Sequence, residues 1–305
     1  MNVWLPCNTT TKNNGPKRSL IKGSPPTGGP FLLFLPKQIE TIMKLLLTAA
    51  MFLMLPLGKN QNKPPDISTN EHLVLATVWH QVSPEYKALC LQTYEMAKLR
   101  LLLDHNQGYI KQQDAQSSKP AIVLDIDETV LDNSPFEAFT VLMNIDYPAR
   151  WDEWCNKAEA AAVPGAIDFL QFADSLGYHI FYISNRKNHL KEVTIKNMQE
   201  LGIPQVTPDH LLLRDKTSSK VARRNIVEKE FEIVMLLGDN LNDFHGDFEV
   251  GDNSERMKVF ETYRHEFGKK FIVLPNAMYG VWENNLYSDG TIDKVKARHE
   301  ALTGF

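Results

Sequence analysis

An α/β fold built on a parallel sheet is predicted by three features of the 305-residue chain. Short apolar runs recur at 121–124, 179–183, 211–213, 233–237 and 271–274. Their brevity and β-branched content read as buried strands. Amphipathic stretches lie between them, at 166–176 closed by Gly177 and at 188–201 closed by Gly202. A glycine just past the last periodic residue is a common helix stop. Strand, helix, strand in repetition implies a parallel sheet with helices on both faces.

The chain is 43% hydrophobic and 23% charged with a net charge of -4, as in ordinary globular proteins. It has no basic surplus to recommend nucleic acid, and no internal repeat.

Residues 1–38 are rich in Pro, Gly, Asn, Thr and Lys without an apolar period, which argues against a packed element. Met43-Lys44 then precedes an uncharged run, 45–57, ended by Gly58-Lys59. That run is shorter than the ~20 residues a bilayer span takes. A lysine, a short apolar core and small or polar residues beyond match a secretory signal peptide over 43–60. Met43 is therefore the expected start, with 1–42 an upstream segment, and export to the periplasm or medium is expected. No cysteine follows the apolar core before Cys90, so no stable lipid anchor is expected. Cys90 and Cys155 could pair in an oxidising compartment, and without a Cys-x-x-Cys a structural zinc site is not expected.

Residues 61–70 read as a polar leader. Over 71–106 apolar residues recur at helical spacing (Leu73, Val74, Val78, then Leu89, Tyr94, Ala97, Leu101), interrupted by Ser83-Pro84-Glu85. A cap-like serine and a proline at the first helical position predict two helices. Residues 133–163 break the strand–helix rhythm with Phe136, Phe139, Tyr147, Trp151 and Trp154, and are too long for a βα loop. With 71–110 they are read as small, mainly helical cap elements on an α/β core, all within one domain over 71–305.

Four of the predicted strands end in reactive residues. The first runs into Asp125-Ile126-Asp127-Glu128-Thr129 and the second into Ser184-Asn185-Arg186. The third is followed by Asp215-Lys216-Thr217-Ser218-Ser219-Lys220 and the fourth by Gly238-Asp239-Asn240-Leu241-Asn242-Asp243. Asp-x-Asp pairs also occur in surface turns, so context must decide. In a parallel sheet the strand ends share one edge, where ligands bind.

These residue types suit phosphoester hydrolysis. A carboxylate attacks phosphorus only if the phosphoryl charge is neutralised and the leaving oxygen protonated. Asp125 would attack, and Asp127 would protonate the departing alcohol and then activate water. Magnesium would sit between Asp125 and the Asp239/Asp243 pair. Ser184, backbone N–H groups and a lysine would hold the phosphoryl oxygens.

Asp125-Ile126-Asp127-Glu128-Thr129, Ser184, a lysine within 216–220 and Asp239-x-x-x-Asp243 resemble the four motifs of the haloacid dehalogenase superfamily. Within it, DIDETVLDNSPF, AVPGAIDFL, SNR, GDNLNDF and LPNAMYGVWE, with ATVWHQVSPEYKALCLQTYEMAK before them, resemble the bacterial class C acid phosphatases. That group includes lipoprotein acid phosphatases acting as 5′-nucleotidases. The likeness spans roughly residues 70–300.

The resemblance implies a Rossmann-like core with a small helical cap. It makes Asp125 the nucleophile, Asp127 the acid/base, and Lys220 rather than Lys216 the phosphate-binding lysine. It implies Mg²⁺ held by Asp125, the backbone carbonyl of Asp127, and Asp239, with Asp243 adjacent. Trp151 and Tyr279 would hold a nucleoside base, with Asn185 beside the substrate and Trp154 in the core. It also implies a homodimer. The family's better-known members carry a lipobox cysteine, absent here. His245 reads as a loop residue.

The expected function is that of an exported, Mg²⁺-dependent phosphomonoesterase acting on nucleoside 5′-monophosphates and other small phosphoesters. The alternatives are a non-catalytic binding or storage protein on the same fold, and a phosphatase for aryl or sugar phosphates. A receiver-type phosphoacceptor module is disfavoured, because such modules place the acidic pair and the acceptor on different strands.

Overall fold

The computed structural model describes residues 70–106, 119–287 and 293–305. The upstream segment 1–42, the signal peptide 43–60 and residues 61–69 of the leader lie outside the described residues. No helix among the described residues is long and apolar enough to cross a membrane.

A 3-10 turn, Glu71–Leu73, leads into α1 (Val74–Val82) and α2 (Pro84–Asn106). Ser83 separates the helices, and its hydroxyl accepts from Tyr86 N at 3.2 Å, with Pro84 opening α2 as the spacing predicts. The buried face of α2 is Tyr86, Cys90, Tyr94, Ala97 and Leu101, while Leu89 is exposed. In α1 the buried residues are Thr77 and His80, and Val78 is exposed. The apolar period thus places Tyr94, Ala97 and Leu101 correctly but misplaces Leu89 and also Val78, in a helix whose inward residues, Thr77 and His80, are polar. His80 Nε2 lies 3.2 Å from Asp132 Oδ1, and its ring lies 3.8 Å from that of Tyr86.

Next come β1 (Lys119–Leu124), β2 (Leu131–Asp132), α3 (Ser134–Met143), α4 (Trp151–Lys157), β3 (Ala161–Ala162) and α5 (Ala166–Ser175). The chain continues through β4 (His179–Lys187), α6 (Lys191–Glu200), β5 (Leu211–Arg214), α7 (Val221–Val227) and β6 (Phe231–Gly238). It ends with α8 (Asn253–Tyr263), β7 (Phe271–Val273), α9 (Val281–Asn284) and α10 (Lys294–Glu300). Gly177 and Gly202 close α5 and α6 at φ +85 and +72, a region that suits glycine. Their N–H groups bond Asp174 O and Gln199 O at 2.9 Å.

Every predicted strand forms, in one parallel five-stranded sheet of order β5-β4-β1-β6-β7, while β2 and β3 make a separate antiparallel ribbon. The fold is thus α/β, a parallel sheet flanked by helices. Side chains alternate across it. Ile122, Leu124, Ile180 and Tyr182 join a core with α2 and α5, and Ala121, Val123, Phe181 and Ile183 join one with Phe244 and Phe248 on the opposite face. Between Ala121 and Ile122 the register with β6 skips Val234, a bulge in that strand.

The order places β1 between strands reached in opposite directions, a topological switch point at whose carboxyl edge ligands bind. α3 and α4 cover this edge. Phe136, Trp151, Cys155 and Leu190 form their small core. α1 lies against α3, whereas α2 lies along the sheet with α5. Cys90 and Cys155 are free and sit in different clusters.

Candidate active site

Asp125 leaves the end of β1 with its N–H bonded to Leu237 O at 2.9 Å, which fixes it beside the end of β6. Beyond it the backbone turns tightly. Ile126 O accepts from Val130 N and Leu131 N at 2.8 Å, and Glu128 adopts φ 60, a costly left-handed conformation for a non-glycine residue. This turn aims the carboxylates of Asp125 and Asp127 into one cleft of about 900 Å³.

Three carboxylates converge there. Oxygens of Asp125, Asp239 and Asp243 lie within 4.8 Å of one another. Asp239 accepts from Asn276 Nδ2 at 2.8 Å and from Thr129 Oγ1 at 3.4 Å. Asp243 accepts from Asn240 N at 3.0 Å, closing a capping box over the 3-10 turn Leu241–Asp243. A Cβ on Gly238 would collide with the Asp243 carboxylate, so the tight passage from β6 into this turn needs glycine.

Lys220, from the start of α7, is buried and bridges Asp125 and Asp243, the latter at 2.6 Å. Burial pushes the lysine toward neutrality, but the two carboxylates outweigh it and hold it charged. Burial and the Asp243 charge push Asp239 up to about 7. Burial also raises Asp125, with Asp243, Asp239 and Asp127 adding to it against Lys220. One lysine does not balance three carboxylates, two of them buried and Asp239 half-buried, so the cluster has the charge deficit and the hard oxygen donors that suit a divalent cation.

Asp127 lies just outside this cluster and is held by three side chains. Its Oδ2 accepts from Ser184 Oγ at 3.0 Å, and its Oδ1 accepts from Asn133 Nδ2 and Arg186 Nε, both at 2.9 Å. Arg186 also donates to Thr194 Oγ1 and Asn133 Oδ1, each at 3.3 Å. Asn133 receives Trp154 Nε1 at 2.8 Å and gives its own N–H to Glu128 Oε1 at 2.8 Å.

The structure brings Asp125, Asp127, Asn185, Lys220, Asp239, Asp243, Trp151 and Tyr279 to this cleft. Ser184 differs from expectation. It is fully buried behind Asp127, donating to it while accepting from Arg186 N at 3.0 Å, so its hydroxyl does not face the cleft. Lys216 is exposed and lines no part of the cleft. Trp151 is edge-on to Phe136 at 4.9 Å and has Arg186 over its ring at 5.6 Å, so one face is already occupied. Tyr279 is half-buried. Asn185 Oδ1 accepts from Arg223 at 2.7 Å. His245 caps a turn and contacts Tyr263 at 3.0 Å, as a loop histidine does.

Sequence reasoning missed Asn133 and Arg186. Arg186 lay in view beside Ser184 at the end of a predicted strand, but only the fold turns it back onto Asp127. Nothing in the spacing of Asn133 ties it to Asp127.

The family model described as "HAD superfamily, subfamily IIIB (Acid phosphatase)" matches residues 49–282. A solved structure of the class C acid phosphatase from Bacillus anthracis with tungstate bound is 43% identical, covers 78% of this chain and 100% of its own, and has a TM-score of 0.72. A stem 31 kDa glycoprotein of Glycine max is 28% identical over 164 residues, 52% of this chain and 58% of that protein. "Acid phosphatase 1" of Solanum lycopersicum is 27% identical over 153 residues, 47% of this chain and 59% of that protein. The chain thus spans somewhat over half the length of these plant relatives.

Proposed function

The chain belongs to the subfamily IIIB acid phosphatases of the HAD superfamily, and from that premise we propose that it is an exported, metal-dependent phosphomonoesterase working through an aspartyl-phosphate on Asp125. The observation that carries this is the pairing, at one strand end, of a carboxylate contacting a buried lysine with a second carboxylate held by donors on its far side. The Bacillus anthracis protein binds tungstate, a tetrahedral oxyanion like phosphate, which supports an oxyanion-binding role for this chain as well.

In the first step an Asp125 oxygen attacks phosphorus, the ester P–O bond breaks, and Asp127 passes a proton to the departing alcohol oxygen. In the second, Asp127 takes a proton from water as its oxygen attacks the same phosphorus, and the bond to Asp125 breaks. Lys220 places a fixed positive charge beside Asp125, where the phosphoryl oxygens come to rest. Ser184, Asn133 and Arg186 keep Asp127 turned toward the leaving group. Asp125, Asp239 and Asp243, with the Asp127 carbonyl that the resemblance implies, would hold Mg²⁺. When bound, that ion neutralises the carboxylates and polarises the phosphoryl group.

Nucleoside 5′-monophosphates are the proposed substrates, the base lying against Tyr279. Stacking tolerates any base and contributes ~1–3 kcal/mol. The deciding experiment is phosphate release from 4-nitrophenyl phosphate and a panel of nucleoside monophosphates, with and without Mg²⁺. Asp125→Asn should cut turnover by at least about a thousandfold with the fold intact, since an amide cannot attack. Parent-level turnover in that variant removes Asp125 from the mechanism. No turnover in the wild type with Mg²⁺ favours a binding or storage role.

A further inference from the structure

The cleft extends past the carboxylate cluster along α3. Asn133, which touches Asp127, caps this helix, and Glu137 N bonds Asn133 O at 3.2 Å, so Glu137 stands one helical turn further on the same face. Thr140 follows it, and Glu137 and Thr140 both line the cleft. In the mechanism proposed above, a leaving group protonated by Asp127 would have this stretch of α3 beside it.

Glu137 is only 8% exposed, and its carboxylate makes no hydrogen bond or ion pair among the described residues. A buried carboxylate without a partner costs several kcal/mol, so such a group is seldom left idle. Across the cleft stands Glu283, already paired with His72 Nε2 at 3.1 Å and Tyr287 OH at 2.9 Å. Asp146 and Glu249 also line the cleft. Lys294 lies over the Tyr287 ring at 5.1 Å. The unanswered charge is therefore negative.

Resting on the phosphatase reading above, we infer that Glu137 forms a cation-binding subsite for the leaving group, selecting phosphomonoesters whose alcohol carries an ammonium or guanidinium group. Burial, with Glu283 opposite, pushes the Glu137 carboxyl up to about 7. The preference should therefore be strong above pH 7 and fade below it as Glu137 takes up a proton.

The test compares 4-(aminomethyl)phenyl phosphate with its uncharged isostere 4-ethylphenyl phosphate. The first carries its nitrogen about 6 Å beyond the ester oxygen, a little more than the rise of one helical turn. The ratio of their kcat/KM values is read within each protein and pH, so that changes in overall turnover cancel. In the wild type at pH 8 the amine should be favoured about tenfold, chiefly through KM, and the ratio should fall toward one at pH 5. Glu137→Gln should hold it near one at both pH values, and Glu137→Asp should restore part of it. A wild-type ratio near one at pH 8, or a preference that survives Glu137→Gln, overturns the subsite while leaving the phosphatase reading intact. No phosphate released from either ester or from 4-nitrophenyl phosphate overturns both.

Discussion

Arg186 sets Nε and Nη2 each 2.9 Å from Oδ1 of Asp127, with its side chain only 1% exposed. A carboxylate so gripped on one side cannot rotate, which directs its reactive edge to the ester oxygen. Arg186 acts through Asp127 rather than on substrate. Replacing it with Met should therefore slow esters with poor leaving groups far more than 4-nitrophenyl phosphate, whose departure needs little protonation. A general acid contributes ~10²–10⁴-fold, so alkyl phosphates should lose about a hundredfold and the nitrophenyl ester less than about tenfold. Removing one partner of a buried pair also costs ~3–5 kcal/mol of stability. Equal loss on both esters would mark Arg186 as merely structural.

Glu128 supports the same clamp from below. It is fully buried, and Oε1 accepts the Asn133 N–H while Oε2 has no partner among the described residues. Burial raises its carboxyl well above the ordinary range, with Asp127 and Asp239 adding to the effect. Glu128→Gln keeps an acceptor of the same shape and should retain activity within about threefold. Glu128→Ala strands the Asn133 N–H and should cost ~1–3 kcal/mol, along with most turnover. Chemical unfolding and phosphate release on both variants decide it.

The strands and the acids at their ends were legible because both follow from local pattern. Short β-branched runs make buried strands, and reactive side chains follow them directly in the chain. Arg186 was not legible as a partner of Asp127 because the apolar run stops at Ile183 while the strand continues to Lys187, the pairing with β5 shifting register between Ser184 and Lys187. That irregularity, which falls just after Ser184, is invisible in residue type. Trp151 was legible as a cleft residue, but its ring neighbours were not, since Arg186 and Phe136 reach it from distant segments.

The three-carboxylate cluster makes a thermodynamic prediction independent of turnover. A cation bound only by the folded state stabilises by about 2.7 kcal/mol at a concentration 100-fold above Kd. For a domain of this size that is a rise in Tm of roughly 5–10 °C. Mg²⁺ should produce it in the wild type and not in Asp239→Asn. Gly238→Ala, whose methyl displaces the Asp243 carboxylate, should lose it too. An equal Mg²⁺ response in all three proteins would remove these residues as ligands.

Glu137 should make the protein's own stability depend on pH, whatever its substrate. Its carboxyl is raised from an ordinary 4.5 to about 7 by burial and by Glu283. Between those values the folded chain keeps a proton that the unfolded chain has released. Stability contributed by this group is thus greatest below pH 4.5, declines as pH rises to 7, and is constant above. The decline amounts to about 3 kcal/mol at 1.36 kcal/mol per pH unit. Glu137→Gln has no proton to lose, so its stability relative to the wild type should rise by that amount between pH 4.5 and 7.5. Taking the difference between the two proteins cancels Asp239, which titrates in the same range. Urea unfolding at a series of pH values measures it, and a pH-independent difference would place the Glu137 carboxylate in contact with a compensating charge.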